Sequence, residues 1–282
     1  LAKIHPSAIV DPKAELAADV EVGPFALIEC GVRIGAHSRI GPRAHVCSGT
    51  ILGENCEVHI GAVLGHLPQD FSYKNEPSVL EIGDGTVVRE YATLHRATGE
   101  GRKTEIGKKC YLMGGAHVAH NCKLGCGVIL ANNVLLAGHV EIGDGAILSG
   151  GVVVHQFVRI GDLAMLSGGS RFGMDVPPYV IGDETNAVTG LNSVGLRRSA
   201  KLSDDDRREI RKAFKIFFRS GLDLSDALRS LRAECGGPAV RRFVEFFETP
   251  SRRGYCRYRP GSRYGGRCAK SAKEETDVGK EE

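Results

Sequence analysis

Residues 106–142 read IGKKCYLMGGAHVAHNCKLGCGVILANNVLLAGHVEI. An aliphatic side chain returns at every sixth position: Ile106, Leu112, Val118, Leu124, Leu130, Leu136 and Ile142. Four residues after each sits a small or β-branched one, at Cys110, Ala116, Cys122, Val128, Val134 and Val140. Glycine directly follows the aliphatic at Gly107, Gly125 and Gly143. A period of six fits neither a helix nor an alternating strand. It is the mark of a parallel β-helix of hexapeptide repeats, each hexad a short strand and a turn, three hexads to a coil. The aliphatic and the small residue point inward, and the turns face solvent. Stacked coils satisfy one another's backbone groups at a spacing of about 4.8 Å.

The ladder extends in both directions. It runs from Ile4 through Val10, Leu16, Val22 and Ile28 to Leu64, resumes at Ile82, Val88 and Leu94, and continues beyond Ile142 to Leu166. Two stretches break it, 65–79 (GHLPQDFSYKNEPSV) and 97–105 (ATGEGRKTE), and read as loops extruded from the coil. Long loops on a rigid scaffold carry function. The repeats fail after Phe172, and Pro177-Pro178 marks the stop.

The expected organisation is a β-helix over 1–190, an α-helical domain over 191–250, and a disordered, dispensable tail over 251–282. The first long helix starts at Ser203, an N-cap followed by Asp204, Asp205 and Asp206. Ile210, Phe214, Phe217 and Phe218 share one face, and Arg208, Lys212, Lys215 and Arg219 the other. Leu224–Leu231 and Val240–Phe247 suggest two more helices. The tail is rich in arginine to residue 270 and has no apolar period.

Composition narrows the functional classes. With 282 residues and a net charge of +3, the folded part has no charge excess for nucleic acid. Nine cysteines form no CxxC pair, and Cys56, Cys110 and Cys122 fall on inward positions, as buried thiols of a reducing, cytoplasmic compartment do. His120, Cys122 and Cys126 match no common zinc spacing, so no metal is expected. No transmembrane run or membrane insertion is expected.

The chemistry lies with the histidines. His95, His117, His120, His139 and His155 sit beside the later repeats. His120 is two residues past inward Val118 and so lies at a corner. One coil on from it comes Gly138, and another coil on Gln156. An imidazole beneath a backbone N–H pairs a general base with an oxyanion donor.

The segments HVAHNC, ILANNVLLAGHVEIGD, VHQFVRIG and DVPPYVIG, with PQDFSY in the first loop, resemble the UDP-N-acetylglucosamine 3-O-acyltransferase family from about residue 4 to 248. The resemblance implies an all-β left-handed parallel β-helix followed by a small α-helical C-terminal domain, assembled as a homotrimer with clefts between subunits. It implies transfer of a 3-hydroxyacyl group from acyl carrier protein to the 3-hydroxyl of UDP-N-acetylglucosamine, the first step of lipid A biosynthesis. No cofactor is implied beyond the phosphopantetheine on the carrier. His120 matches the general base, and Gly138 the oxyanion donor. Asp70 matches a sugar-binding loop aspartate. His95, His117, His139, His155 and Gln156 match the cleft lining. Asn192 and Arg198 match nucleotide-binding residues, and Gly168 matches the position that limits acyl length. The basic helix face would receive the acidic carrier.

Three positions depart from the family pattern. Ser72 stands where a lysine follows the loop aspartate. Val194 replaces a glutamate near the nucleotide, leaving a 3-amino sugar nucleotide as an alternative acceptor. Asn121 replaces an aspartate after the base, which would leave His120 without a neighbouring carboxylate. A γ-class carbonic anhydrase shares the coil but uses three zinc-bound histidines and lacks the helical region. A non-catalytic β-helix would not need so dense a set of histidines. The pathway's N-acyltransferase normally carries an additional N-terminal domain, whereas repeats here start at residue 4.

Overall fold

The computed structural model describes residues 2–260. Among the described residues its strands, mostly two residues long, form three sheets that are the faces of a triangular coil, parallel throughout except that Val180–Asp183 and Ala187–Leu191 pair antiparallel at the end of the first. The first sheet begins at Lys3–Ile4, the second at Ile9–Val10 and the third at Glu15–Leu16. Within an uninterrupted stretch of repeats a strand pairs in parallel with the one a coil away, 18 residues on, as Lys123↔Glu141 and Leu124↔Ile142 do. The fold is therefore the parallel β-helix that the period of six predicts.

In each two-residue strand the first side chain faces out and the second faces in. Leu112, Val118, Leu130, Leu136, Leu148 and Leu166 are all fully buried. The small residues four positions on, among them Ala116, Cys122, Val128 and Val140, are buried too. Each enclosed aliphatic contributes roughly 1.5–3 kcal/mol of apolar burial, so the repeat is the core. The glycine after the aliphatic is fixed by coil spacing: a Cβ on Gly107 would stand 2.4 Å from the Gly125 carbonyl oxygen.

The three faces carry different surfaces. The third sheet turns Glu81, Glu105, Lys123 and Glu141 outward, with Lys103 bridging Glu81 and Glu105. The second sheet turns out Ile9, Leu135 and Val153, which remain exposed, with Leu27 and Val63 half-buried.

The coil resumes its pairing beyond both loops, with one register shift where the first loop leaves, between Leu64 and His66. Across them the partner separation widens from 18 to 30 (Glu57↔Val87) and to 24 (Val87↔Tyr111). The strands reach further into the expected loops than their sequence suggests. Val63–His66 runs two residues past Leu64, and Val79–Ile82 pairs with Lys103–Ile106 over four residues.

Among the described residues four helices follow the coil: α1 Ser193–Arg198, α2 Asp204–Arg219, α3 Leu224–Glu234 and α4 Pro238–Glu248. Ser203 and Asp206 close a capping box on α2. Ile210, Leu231, Val240, Phe243 and Phe247 form a second core with Tyr179 and Leu196. The basic side of α2 is not the free stripe expected. Lys212 pairs with Glu234 and Arg208 with Asp205, while Arg219 lies over the rings of Phe214 and Tyr258. None of the described helices is long and apolar enough to cross a membrane.

The chain does not lose structure at Ser251. Residues 251–260 fold back onto the end of the coil, where Asp175 N–H donates to the Gly254 carbonyl and Cys256 N–H to the Asp175 carbonyl. Arg257–Tyr258 adds a parallel strand to Ala187–Leu191, and Cys256 is buried. This segment has too few apolar residues to show a period, yet the last coil offers an unpaired edge that it completes. The remainder of the expected tail, 261–282, lies outside the described residues.

Candidate active site

The corner between the second and third sheets stacks one residue per coil. Asn121, His139 and Phe157 take the same left-handed backbone conformation there, with φ of 59°, 60° and 65°. His120 and Gly138 precede the first two of them. The His120 ring stands directly against Gly138: a Cβ on that glycine would come within 2.6 Å of both Cε1 and Nε2. Around Gly138 the backbone is paired, with Ala137 N–H donating to the Val154 carbonyl and His139 N–H to the His120 carbonyl. Among the described residues the N–H of Gly138 itself has no acceptor.

Both loops roof this corner, and the His120 side chain is only 12% exposed. Asp70 of the first loop places Oδ2 3.8 Å from His120 Nδ1. A carboxylate therefore does stand beside the imidazole, contrary to the expectation drawn from Asn121. It arrives from a loop 50 residues away in the chain, out of reach of any local motif. The Ser72 N–H and hydroxyl both donate to Asp70 Oδ1, and the N–H bond chiefly holds that carboxyl below the usual range. Ser72 thus orients Asp70. Asn121 Oδ1 lies 2.9 Å from His120 Nδ1, and the Asn121 side chain is bonded to the Thr98 backbone in the second loop.

The other histidines extend along the same region. The His139 ring meets His120 edge-on at 5.3 Å and stacks on Phe157 at 4.7 Å. Burial lowers its pKa, assisted by the neighbouring His120. Arg252 covers the outer face of Phe157 at 5.0 Å. His117 packs against His95 at 5.2 Å, its Nδ1 2.8 Å from the Thr93 hydroxyl, and burial pushes its pKa down to about 4. His95 is buried, bonded through Nδ1 to the Leu67 carbonyl, and lowered by burial. His155 and Gln156 stay at the surface of the next coil, with His155 Nδ1 3.3 Å from the Gln156 carbonyl.

Three sequence-predicted residues lie elsewhere. Arg198 ends α1, exposed and with no ion pair among the described residues, at a hollow of about 820 Å³ with Asp162, Leu163, Met165 and Lys201. That hollow sits on the corner between the third and first sheets. The strand Lys123–Leu124 separates it from the His120 corner. Asn192 borders the hollow but is 6% exposed, with its amide already engaged: Oδ1 accepts from Gly195 N–H and Nδ2 donates to the Leu163 carbonyl. It anchors α1, and Val194 within that helix is exposed. Gly168 is on the third corner, above Gly150.

Cys122 and Cys126 do not gather with His120. Cys122 is buried with its thiol pushed up to about 12, and Cys126 is exposed on the far corner with Arg198. Among the described residues only Glu29, His45 and Cys47 gather metal-type atoms closely, and there Glu29 is already bonded to His45 and to Ser48 N–H. The sequence reading missed Thr98, Phe157 and Arg252. Thr98 has no local signal, and Arg252 was assigned to the tail.

A family model described as Udp N-acetylglucosamine O-acyltransferase, Domain 2, matches residues 175–256, and a hexapeptide-transferase model matches 31–66. The first of these runs through the segment that closes the coil. The chain is 48% identical over 260 residues to the acyl-[acyl-carrier-protein]–UDP-N-acetylglucosamine O-acyltransferase of Trichlorobacter lovleyi, covering 90% of this chain and 99% of that one. To the enzyme of the same name from Thermodesulfovibrio yellowstonii it is 42% identical over 259 residues, again covering 90% and 99%. The crystal structure of the UDP-N-acetylglucosamine acyltransferase of Bacteroides fragilis superimposes with a TM-score of 0.84 at 38% identity, covering 90% of this chain and all of that one. With the coil, the helical region and the His120–Gly138 corner in place, these matches over nearly the whole chain show that it belongs to the acyl-[acyl-carrier-protein]–UDP-N-acetylglucosamine O-acyltransferase family.

Proposed function

We propose that the protein transfers a 3-hydroxyacyl group from acyl carrier protein to the 3-hydroxyl of UDP-N-acetylglucosamine, the first step of lipid A synthesis, with His120 as general base. The observation that carries this is the His120 ring held against Gly138, whose N–H has no acceptor among the described residues. The sugar hydroxyl gives its proton to the imidazole as its oxygen attacks the thioester carbonyl. The oxyanion accepts a hydrogen bond from Gly138 N–H. Collapse of the tetrahedral intermediate expels the phosphopantetheine thiol, which recovers the proton from the imidazolium. The thioester is activated already, so these groups need no further cofactor. Asp70 and the histidines of the corner would hold the sugar, and Arg198 the diphosphate as a charged fork.

The split of residues between corners supports a homotrimer. A base at one corner and a nucleotide anchor at another can serve one substrate only if neighbouring protomers meet edge to face. Leu135 and Val153, exposed side by side on the second sheet, give that contact an apolar patch. Eight free thiols among the described residues, the carrier-borne donor and the nucleotide acceptor suit a cytoplasmic enzyme.

The test is acyl transfer by purified protein from a series of 3-hydroxyacyl carrier proteins to UDP-N-acetylglucosamine, with its 3-amino analogue alongside. His120→Ala should lower kcat by roughly 10²–10⁴ while the sedimentation of the trimer is unchanged. No transfer to either acceptor, or a His120→Ala rate near wild type, would remove the reading.

A further inference from the structure

The Asn121 amide can be oriented without ambiguity. Its two side-chain atoms meet the two backbone groups of Thr98, each of which has a fixed role. Thr98 N–H is a donor, and it reaches one amide atom at 3.0 Å, so that atom is the oxygen. The Thr98 carbonyl is an acceptor, and it meets the other amide atom at 3.0 Å, so that atom is the NH₂. The oxygen so identified also lies 2.9 Å from His120 Nδ1. An amide oxygen only accepts, so Nδ1 must carry a hydrogen. In the neutral ring the lone pair is then on Nε2, the nitrogen beside Gly138.

We propose that Asn121 is a positioning residue: clamped through both amide atoms to Thr98, it holds neutral His120 in the Nδ1–H tautomer and so keeps Nε2 as the basic nitrogen. An aspartate could also accept from Nδ1–H. It could not donate to the Thr98 carbonyl, and would instead set an anionic oxygen against it. The asparagine therefore does two things at once, fixing the base and tying the second loop to the coil. Its N–H donates to the Thr104 hydroxyl at 2.8 Å, holding the corner from the other side. Its φ of 59° is one that asparagine adopts with little strain. The sequence difference at this position is thus a different device rather than a missing part. The catalytic consequence rests on His120 being the base; the tautomer does not.

The experiment is ¹⁵N–¹H correlation spectroscopy of the histidine side chains in ligand-free protein, with His120 assigned by its loss in His120→Gln. The wild type should show one neutral form, Nδ1 protonated and Nε2 bare. Asn121→Gly, which tolerates the positive φ, should show a mixture of tautomers, and its kcat should fall about 10- to 100-fold, by analogy with outer partners of metal-bound histidines, with KM little changed. Asn121→Asp should keep the single tautomer while amide exchange at Thr98 becomes faster. Finding Nε2–H in the wild type would overturn the proposal, and that arm needs no folded variant. So would a single Nδ1–H form in Asn121→Gly, or a mixed form with undiminished kcat. Failure of acyl transfer as such would leave the spectra unaffected, so the two readings fail separately.

Discussion

Replacing Gly138 by alanine tests the geometry of the corner with one methyl group. Built on the present backbone, that methyl stands 2.6 Å from Cε1 and Nε2 of His120 and 3.2 Å from Nδ1. Ordinary contact begins at 3.4 Å, so the ring must retreat by about 0.8 Å. It has little room, because the loops leave it only 12% exposed and Nδ1 is bonded to Asn121. A displacement of about 1 Å at a reacting group costs on the order of 10²-fold in rate. Gly138→Ala should therefore lower kcat about a hundredfold. The fold should persist, since the clash is with a side chain and Gly138 needs no positive φ. The assay is steady-state transfer with a thermal melt of the same preparation. A variant within threefold of wild type, with its melting temperature unchanged, would show that the ring is not held where the structure has it.

The remaining predictions address the ends of the chain, the acyl groove and pH. Ending the chain after Pro260 should leave activity and melting temperature unchanged, whereas ending it after Pro250 should lower the melting temperature by roughly 5–10 °C and impair transfer. That second cut exposes the edge of Ala187–Leu191 and removes Arg252 from Phe157; identical behaviour of the two truncations would contradict the closure of the coil by 251–260. Gly168 is expected to leave the acyl groove open for donors of about fourteen carbons, each methylene worth roughly 0.8 kcal/mol, or about fourfold in binding. Gly168→Met should move the kcat/KM preference to shorter 3-hydroxyacyl chains, and an unchanged ranking would exclude Gly168 as the limit. His117 is held neutral in the fold, with its pKa at about 4 against 6.5 when free. Below pH 6.5 the unfolded chain takes up a proton that the folded one refuses, so stability present above 6.5 is lost as pH falls towards about 4. His95 is lowered by burial and acts in the same direction. Melting temperatures across that window should fall less steeply in His117→Gln, and an unchanged slope would argue against the buried neutral ring.

The coil was legible because its rule is local and repeated. Each hexad states which residue faces in, and Val118 alone places His120 at a corner. Vertical neighbours follow by counting one coil, which is how Gly138 was found. What crosses between loops was not legible, because loop conformation obeys no period. Asp70 reaching His120, and Thr98 gripping Asn121, depend on two insertions folding over one corner. The end of the chain was misread for the opposite reason. Arg257–Tyr258 is too short to announce itself as a strand, and its order comes from the edge it meets rather than from its own composition.

The separation of His120 and Arg198 onto different corners has a genetic consequence. If one protomer lends the base and its neighbour the nucleotide anchor, a damaged chain spoils a different half of two sites. Protomers carrying His120→Ala and protomers carrying Arg198→Ala, each inactive alone, should rescue one another when co-assembled. Under random mixing in equal amounts, about a quarter of the sites would draw both halves intact. Two defective alleles of this chain expressed together would then behave as a partial wild type, with neither protein having been repaired.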